Sequence, residues 1–163
     1  MKIKPFLLAF AAGLALCTAP AGAQLTVEIT GAGANQLPIA IADFSGERII
    51  AQALTSVIRA DLERSGMFRL VNGRVLAEET TPPFAELKQR GADAVVGGTV
   101  AVSGEGRYTT RIRLSDVLKQ STLGAQAYTH TGAQLRTTAH RIADFIYEKL
   151  TGEPGVFSTR IAY

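Results

Sequence analysis

Chemistry that needs thiols or clustered imidazoles has little material in this chain: of 163 residues one is cysteine, two are histidine and none is tryptophan. The lone thiol, Cys17, lies in a segment expected to be removed. Met1-Lys2-Ile3-Lys4 is basic, Phe6 to Leu16 is apolar apart from Gly13, and Ala21-Gly22-Ala23 offers an A-x-A cleavage site before Gln24. That order marks residues 1–23 as a secretory signal peptide. The apolar run falls short of the roughly 20 residues that span a bilayer, and no later run is longer, so no membrane span is expected. Cleavage of a lipoprotein before Cys17 would want a small residue where Leu16 stands. The product starting near Gln24 then has no cysteine, which excludes disulfides, thiolate catalysis and cysteine metal sites together.

Net charge is nearly absent from the remainder too. Loss of Lys2 and Lys4 lowers the formal net charge from +3 to about +1, leaving no electrostatic footprint for nucleic acid. About 140 residues remain, enough for one domain with its own core.

Periodicity then sets out the elements. Leu25, Val27 and Ile29 alternate with Thr26, Glu28 and Thr30 as in a half-buried strand, and Gly31 to Gln36 reads as a flexible loop. Pro38 to Ala42 predicts a second strand with proline at its start. Ser45 is placed to cap a helix from about Glu47 to Arg64. Ile50, Ala53, Leu54, Val57, Ile58 and Leu62 form its apolar face, with Arg59, Glu63 and Arg64 toward solvent. Ser65-Gly66 ends it. A strand over Phe68 to Val71 and a short helix over Pro82 to Arg90 follow. Ala92 to Val102 is uncharged after Asp93 and suits a central strand covered on both sides. Arg107 to Val117 and Thr122 to Thr131 complete a meander. A last helix, about Gln134 to Leu150, presents Leu135, Ala139, Ile142, Ala143, Ile146 and Leu150 to the core. The expected fold is α/β: a mixed β-sheet packed against two long amphipathic helices plus a short one.

Recurrent site chemistries find poor footing. Gly31-Ala32-Gly33-Ala34-Asn35-Gln36 begins like a dinucleotide loop, but a strand rather than a helix follows, and Gln36 stands at the third glycine. Gly97-Gly98-Thr99 lacks the lysine of a phosphate loop and reads as a close approach for a crossing helix. His140 is expected on the exposed side of the last helix, paired with Asp144 one turn on. His130 is expected at the solvent face of its strand. No compact ligand cluster for zinc and no G-x-S-x-G elbow is present. Arg107, Arg111 and Arg113 share a strand face while Tyr108 points to the other, which describes a solvated sheet face better than a base-stacking platform.

Several segments together resemble the TolB amino-terminal domain family. Pro38-Ile39-Ala40-Ile41-Ala42-Asp43-Phe44 resembles the strand before its first helix, and Arg59 to Phe68 its D-L-x-x-S-G-x-F helix end. Gly91 to Gly98 is similar to its central strand, and Glu148-Lys149-Leu150-Thr151-Gly152 with Gly155, Phe157 and Thr159 to Tyr163 to its exit. The resemblance implies a non-enzymatic periplasmic component of the Tol–Pal system that supports envelope integrity and constriction at division, with no cofactor. It divides the chain into the signal peptide 1–23, an α/β domain 24–155, and residues 156–163 as the lead-in to a β-propeller. The family's docking surface for the lipoprotein Pal lies on that propeller, so a Pal-like partner is expected only where a propeller is present. The mature amino terminus of the family engages TolA. Here that maps to Gln24, Leu25, Thr26, Val27, Glu28, Ile29, Thr30, Gly31, Ala32 and Gly33. Alternate side chains of a short strand before a glycine-rich loop suit strand addition to a partner sheet, while the residues alone fit better an edge strand docked in the domain's own sheet with no partner role.

Two other classes remain open on the residues alone. A small envelope hydrolase requires a pocket joining a histidine to a nucleophile, and a ligand-binding domain requires an apolar cavity between sheet and helices. Amino-terminal sequencing of exported protein is expected to begin near Gln24, with no titratable thiol. A lipidated Cys17 terminus would overturn this.

Overall fold

In the computed structural model, residues 36–159 are described. The expected strand at Leu25, Val27 and Ile29 and the loop from Gly31 lie outside them. The elements are β1 (Leu37–Ile41), β2 (Ser45–Gly46), α1 (Arg48–Arg64), β3 (Phe68–Asn72), α2 (Phe84–Gln89), β4 (Ala94–Val102), β5 (Arg107–Asp116), β6 (Ser121–Thr131) and α3 (Leu135–Thr151). The sheet order is β3-β1-β4-β5-β6, with β2 also pairing β4. β1 runs parallel to β3 and β4, whereas β4, β5 and β6 form an antiparallel meander. The expected mixed α/β sheet with two long helices and one short helix is therefore present.

Pro38 is tolerated inside the sheet because the β1–β4 ladder begins only at Ile39 and Ala94, while its carbonyl accepts from the Asp93 N–H at 2.8 Å. After β1 the chain steps out at Asp43-Phe44 and returns as β2, pairing Ser45 with Thr99 and Gly46 with Val100. This return removes Ser45 from the expected capping role. Its hydroxyl meets that of Thr99 at 3.0 Å, and α1 begins after Glu47 without a side-chain cap. Gly46 has φ +93°, and a Cβ there would run into the Val100 carbonyl.

One face of the sheet carries both long helices. Leu54, Ile58 and Leu62 of α1 and Ile142, Ala143 and Ile146 of α3 are fully buried with Ile39, Ile41, Val96, Ile112 and Leu114. Ile50 and Val57 only flank this core, so the buried stripe of α1 is rotated toward Ala51, Thr55 and Asp61 relative to the expected face. α3 is preceded by a 3-10 turn, Gly132–Gln134, closed by a Thr131–Gln134 capping box, and it stops at left-handed Gly152. Phe68 meets Tyr147 edge-on at 5.8 Å, and Tyr147 meets Phe157 at 5.7 Å, joining β3, α3 and the segment after α3.

The opposite face is covered only over its first half, by α2 and the loop that carries Leu76, against Ala40, Ala42 and Val95. Gly97 and Gly98 make this possible. A Cβ on Gly97 would lie 2.9 Å from Leu76, and one on Gly98 2.7 Å from the Phe44 ring. The close approach read from the sequence is real, but a loop and an aromatic ring occupy it rather than a crossing helix. Beyond Leu76 the outer face of β5 and β6 is open.

Alanine at Leu54, Ile58, Ile142 or Ile146 is expected to cost about 2–5 kcal/mol in denaturant melts. Gly98→Ala should cost roughly 1–3 kcal/mol through overpacking against Phe44, although alanine is itself a better strand residue than glycine.

Candidate functional site

The candidate partner segment, Gln24 to Gly33, lies outside the described residues; only the point where the chain joins the domain is seen. Gln36 Nε2 donates to the Gly66 carbonyl at 3.1 Å, and the Leu37 N–H to that of Met67 at 2.9 Å. This junction sits at the end of α1, next to the recess of about 420 Å³ that Ser65 shares with Tyr147, Val156 and Phe157. Both ends of the described region are thus held at one end of the domain.

The two histidines are not surface groups. His140 does not pair with Asp144: its Nδ1 donates to Asp61 Oδ2 on α1 at 2.5 Å, across 79 residues of sequence. Asp61 has a side chain only 6% exposed, and its second oxygen accepts from Arg64 at 3.2 Å. Asp144 instead accepts the backbone N–H groups of Phe157 and Ser158, at 2.7 and 3.1 Å. The misreading has a clear source. One helical turn makes Asp144 a neighbour of His140 on the same helix, but α1 packs closer against that face. The signal that was available is Asp61 itself, a carboxylate between Ile58 and Leu62 on an apolar stripe.

His130, expected at the solvent face, is 3% exposed. Its Nδ1 faces the Thr131 carbonyl at 3.1 Å and so carries the proton, leaving Nε2 to accept from the Thr110 hydroxyl at 2.8 Å. Alternation explains the error, because His130 shares the inward face of β6 with Tyr128 while Thr129 and Ala127 face outward. Arg59 was likewise expected in solvent. Its guanidinium donates to the Ile41 carbonyl at 2.6 Å and to Asp43 at 2.8 Å, closing the step between β1 and β2.

These placements decide what chemistry the domain offers. A histidine does meet a hydroxyl, but Thr110 is completely buried and the other nitrogen of His130 faces a carbonyl, so the pair fastens β5 to β6 rather than presenting a nucleophile. The apolar cavity among Ala42, Leu76, Pro83, Leu87 and Val95 measures about 30 Å³, far below the roughly 300 Å³ of an ordinary ligand pocket. Among the described residues no three His, Cys, Asp or Glu side chains are grouped to hold a metal, and no helix is long and apolar enough to cross a membrane.

On the open sheet face Arg107 and Arg111 are exposed, as expected, while Arg113 pairs with Glu78 at 2.9 Å. Beside them the Glu79 carboxyl is held below its ordinary range, first by a backbone N–H and then by the Thr99 hydroxyl. On the other face burial raises the Tyr128 hydroxyl above its usual range, an effect opposed by Arg141.

Geometry defines the class first: an α/β domain in which buried Asp61, Thr110 and His130 join its elements. The comparisons then give the family. A model of the TolB amino-terminal domain matches residues 25–123. The Tol-Pal system protein TolB of Dechloromonas aromatica is 55% identical over 155 residues, covering 92% of this chain and 36% of that protein. Its counterpart in Polaromonas sp. is 54% identical over 152 residues, with the same coverage of 92% and 36%. Among solved structures, TolB from Acinetobacter baumannii matches with a TM-score of 0.62 at 26% identity, over 76% of this chain and 30% of that one. PelC from Paraburkholderia phytofirmans, at a TM-score of 0.50 and 14% identity over 72% of this chain and 90% of that one, shares the fold alone. The chain belongs to the TolB amino-terminal domain family, and it spans about a third of the length of the curated relatives it matches.

Removing His140 as alanine leaves the Asp61 carboxylate between helices with Arg64 as its one side-chain partner, at an expected cost of about 1–3 kcal/mol. Arg59→Ala should cost about 1 kcal/mol, through the Ile41 carbonyl more than the half-exposed ion pair. Denaturant melts within roughly 0.5 kcal/mol of the parent for both variants would return these residues to the surface.

Proposed function

We propose that this chain is a periplasmic, non-enzymatic partner-binding component of the Tol–Pal system, supporting outer-membrane integrity and constriction during cell division. The observation that carries the reading is family membership, at 54–55% identity across 92% of the chain. The signal-peptide pattern read from residues 1–23 supports a periplasmic destination. The burial of the Thr110–His130 pair speaks against a hydrolase, and the small apolar cavity against a stand-alone ligand-binding domain.

The element proposed to meet a TolA-like partner is Gln24 to Gly33. It rests on the alternation of Leu25, Val27 and Ile29, on the glycines at 31 and 33, and on the resemblance to a family whose amino terminus engages TolA. A strand added to the edge of a partner sheet gains main-chain hydrogen bonds, and alternate side chains give it specificity. A Pal-like lipoprotein is proposed as partner only for a chain that continues from residues 156–163 into a propeller. No cofactor is required.

Deleting Gln24 to Thr30 is expected to abolish calorimetric binding to a TolA carboxy-terminal domain while circular dichroism and melting stay those of the parent. Val27→Pro should act like the deletion by removing a ladder hydrogen bond, and Glu28→Ala should do less. Undiminished binding by the deletion variant would end the strand-donor reading.

A further inference from the structure

The sheet ends in two unlike edges. β3 is 5 residues long and β6 is 11, and among the described residues β6 pairs β5 alone. Natural edges are guarded by short strands, proline, charge or a covering element. β6, from Ser121 to Thr131, has neither a proline nor a charged residue, and most of it is exposed.

The ladder shows which of its backbone groups point outward. The Arg107 carbonyl accepts from the Ser103 N–H at 2.9 Å and the Arg107 N–H donates to the Gly104 carbonyl at 2.9 Å, so both face the β4 side. Just past β5 the Val117 N–H donates to the Asp93 carbonyl at 2.8 Å, in the same sense. Backbone groups alternate in direction along an antiparallel strand. Tyr108, Thr110, Ile112 and Leu114 therefore turn toward β6, where their partners are His130, Tyr128, Gln126 and Gly124. Ala125, Ala127 and Thr129 lie between those partners and direct their N–H and C=O groups away from the sheet. The next such amide, of Thr131, donates to the Gln134 side chain at 3.1 Å, which closes the edge at that end.

Cations flank this stretch on both sides. On the open face, exposed Arg111 lines a cleft with Ala125, Gln126 and Ala127. On the helix face, exposed Arg141 lines a recess with Thr129 and His130. Further along, the Lys149 Cε lies 3.7 Å from where a Cβ on Gly124 would stand. The neighbouring carboxylates are engaged. Glu78, in the same cleft as Arg111, pairs with Arg113, Glu79 accepts from Thr99, and Asp144 accepts from the Phe157 and Ser158 N–H groups.

We propose that the edge of β6 from Ala125 to Thr129 docks an extended acidic segment of a partner protein, added as a further strand with carboxylates beside Arg111, Arg141 and Lys149. Main-chain hydrogen bonds give such a pairing its affinity, and the charges give it selectivity. A second copy of this chain fits the edge less well, because a two-fold pairing brings the same cations together. The surface is separate from the segment Gln24 to Gly33 proposed to meet a TolA-like partner.

The test is amide hydrogen exchange, read by NMR on the whole chain. The probe is a capped peptide of alternating glutamate and threonine, with its lysine counterpart as control. Without peptide, Ala125, Ala127 and Thr129 should exchange fast, and Gly124, Gln126 and Tyr128 slowly. Saturating glutamate peptide should slow the first three by about tenfold or more, and the lysine peptide should not. A127P removes an outward N–H but no bond to β5, so it should abolish binding while melting stays close to the parent. R111Q, R141Q and K149Q should each weaken binding about threefold, whereas R74Q, beside α2, should leave it unchanged. No protection by the glutamate peptide, equal protection by the lysine peptide, or unchanged affinity in all three charge variants would overturn the proposal. So would protection of these amides without peptide. Protection that grows with chain concentration assigns the edge to a second copy, and protection lost on deleting Gln24 to Thr30 assigns it to the chain's own segment.

Discussion

The burial of two helical stripes against the same side of one sheet governs this domain. Leu54, Ile58 and Leu62 on α1 and Ile142, Ala143 and Ile146 on α3 share a core with β1, β4 and β5. Each large side chain removed from water there contributes about 1.5–3 kcal/mol. Helices placed side by side must also settle what faces what along their seam. The answer is the Asp61–His140 pair, with Arg64 on the remaining oxygen. A carboxylate in that position is tolerable only with donors on both oxygens, so the pair also fixes how each helix is rotated. That rotation explains why Ala51 and Thr55 are buried while Ile50 and Val57 lie at the margin.

Placing both long helices on one face leaves the other face short of cover. A short helix and Leu76 suffice over β1 and the first half of β4 because Gly97 and Gly98 let the loop and Phe44 approach the sheet closely. Arg59 holds the same region from the side, bridging the Ile41 carbonyl and Asp43 where β1 gives way to β2. Past this patch the outer face of β5 and β6 can remain open because it carries arginine, threonine and alanine rather than large apolar groups.

The same packing determines where the chain enters and leaves. Gln36 is tied to Gly66 at the end of α1, and Phe157 is held by Tyr147 and by the Asp144 carboxylate a short distance away. Segments before and after the domain therefore start from one end of it.

Elements whose signal is periodic were readable along the chain. An uncharged run of alanine and valine located β4, turns on either side marked out β5 and β6, and the 3.6-residue stripe located α1 and α3 to within a residue or two, because backbone geometry repeats locally. The family was readable from segments that keep their order. Partners were not readable where they depend on distant contacts. Ser45 looked like a cap until β2 claimed it, and His140 looked paired with Asp144 until α1 brought in Asp61. Arg59 looked solvated until the step after β1 supplied its acceptors. Local periodicity determined which segments are helix and strand; the tertiary structure decided which polar side chains are buried, and against what, because burial belongs to the packed whole and not to any stretch of chain.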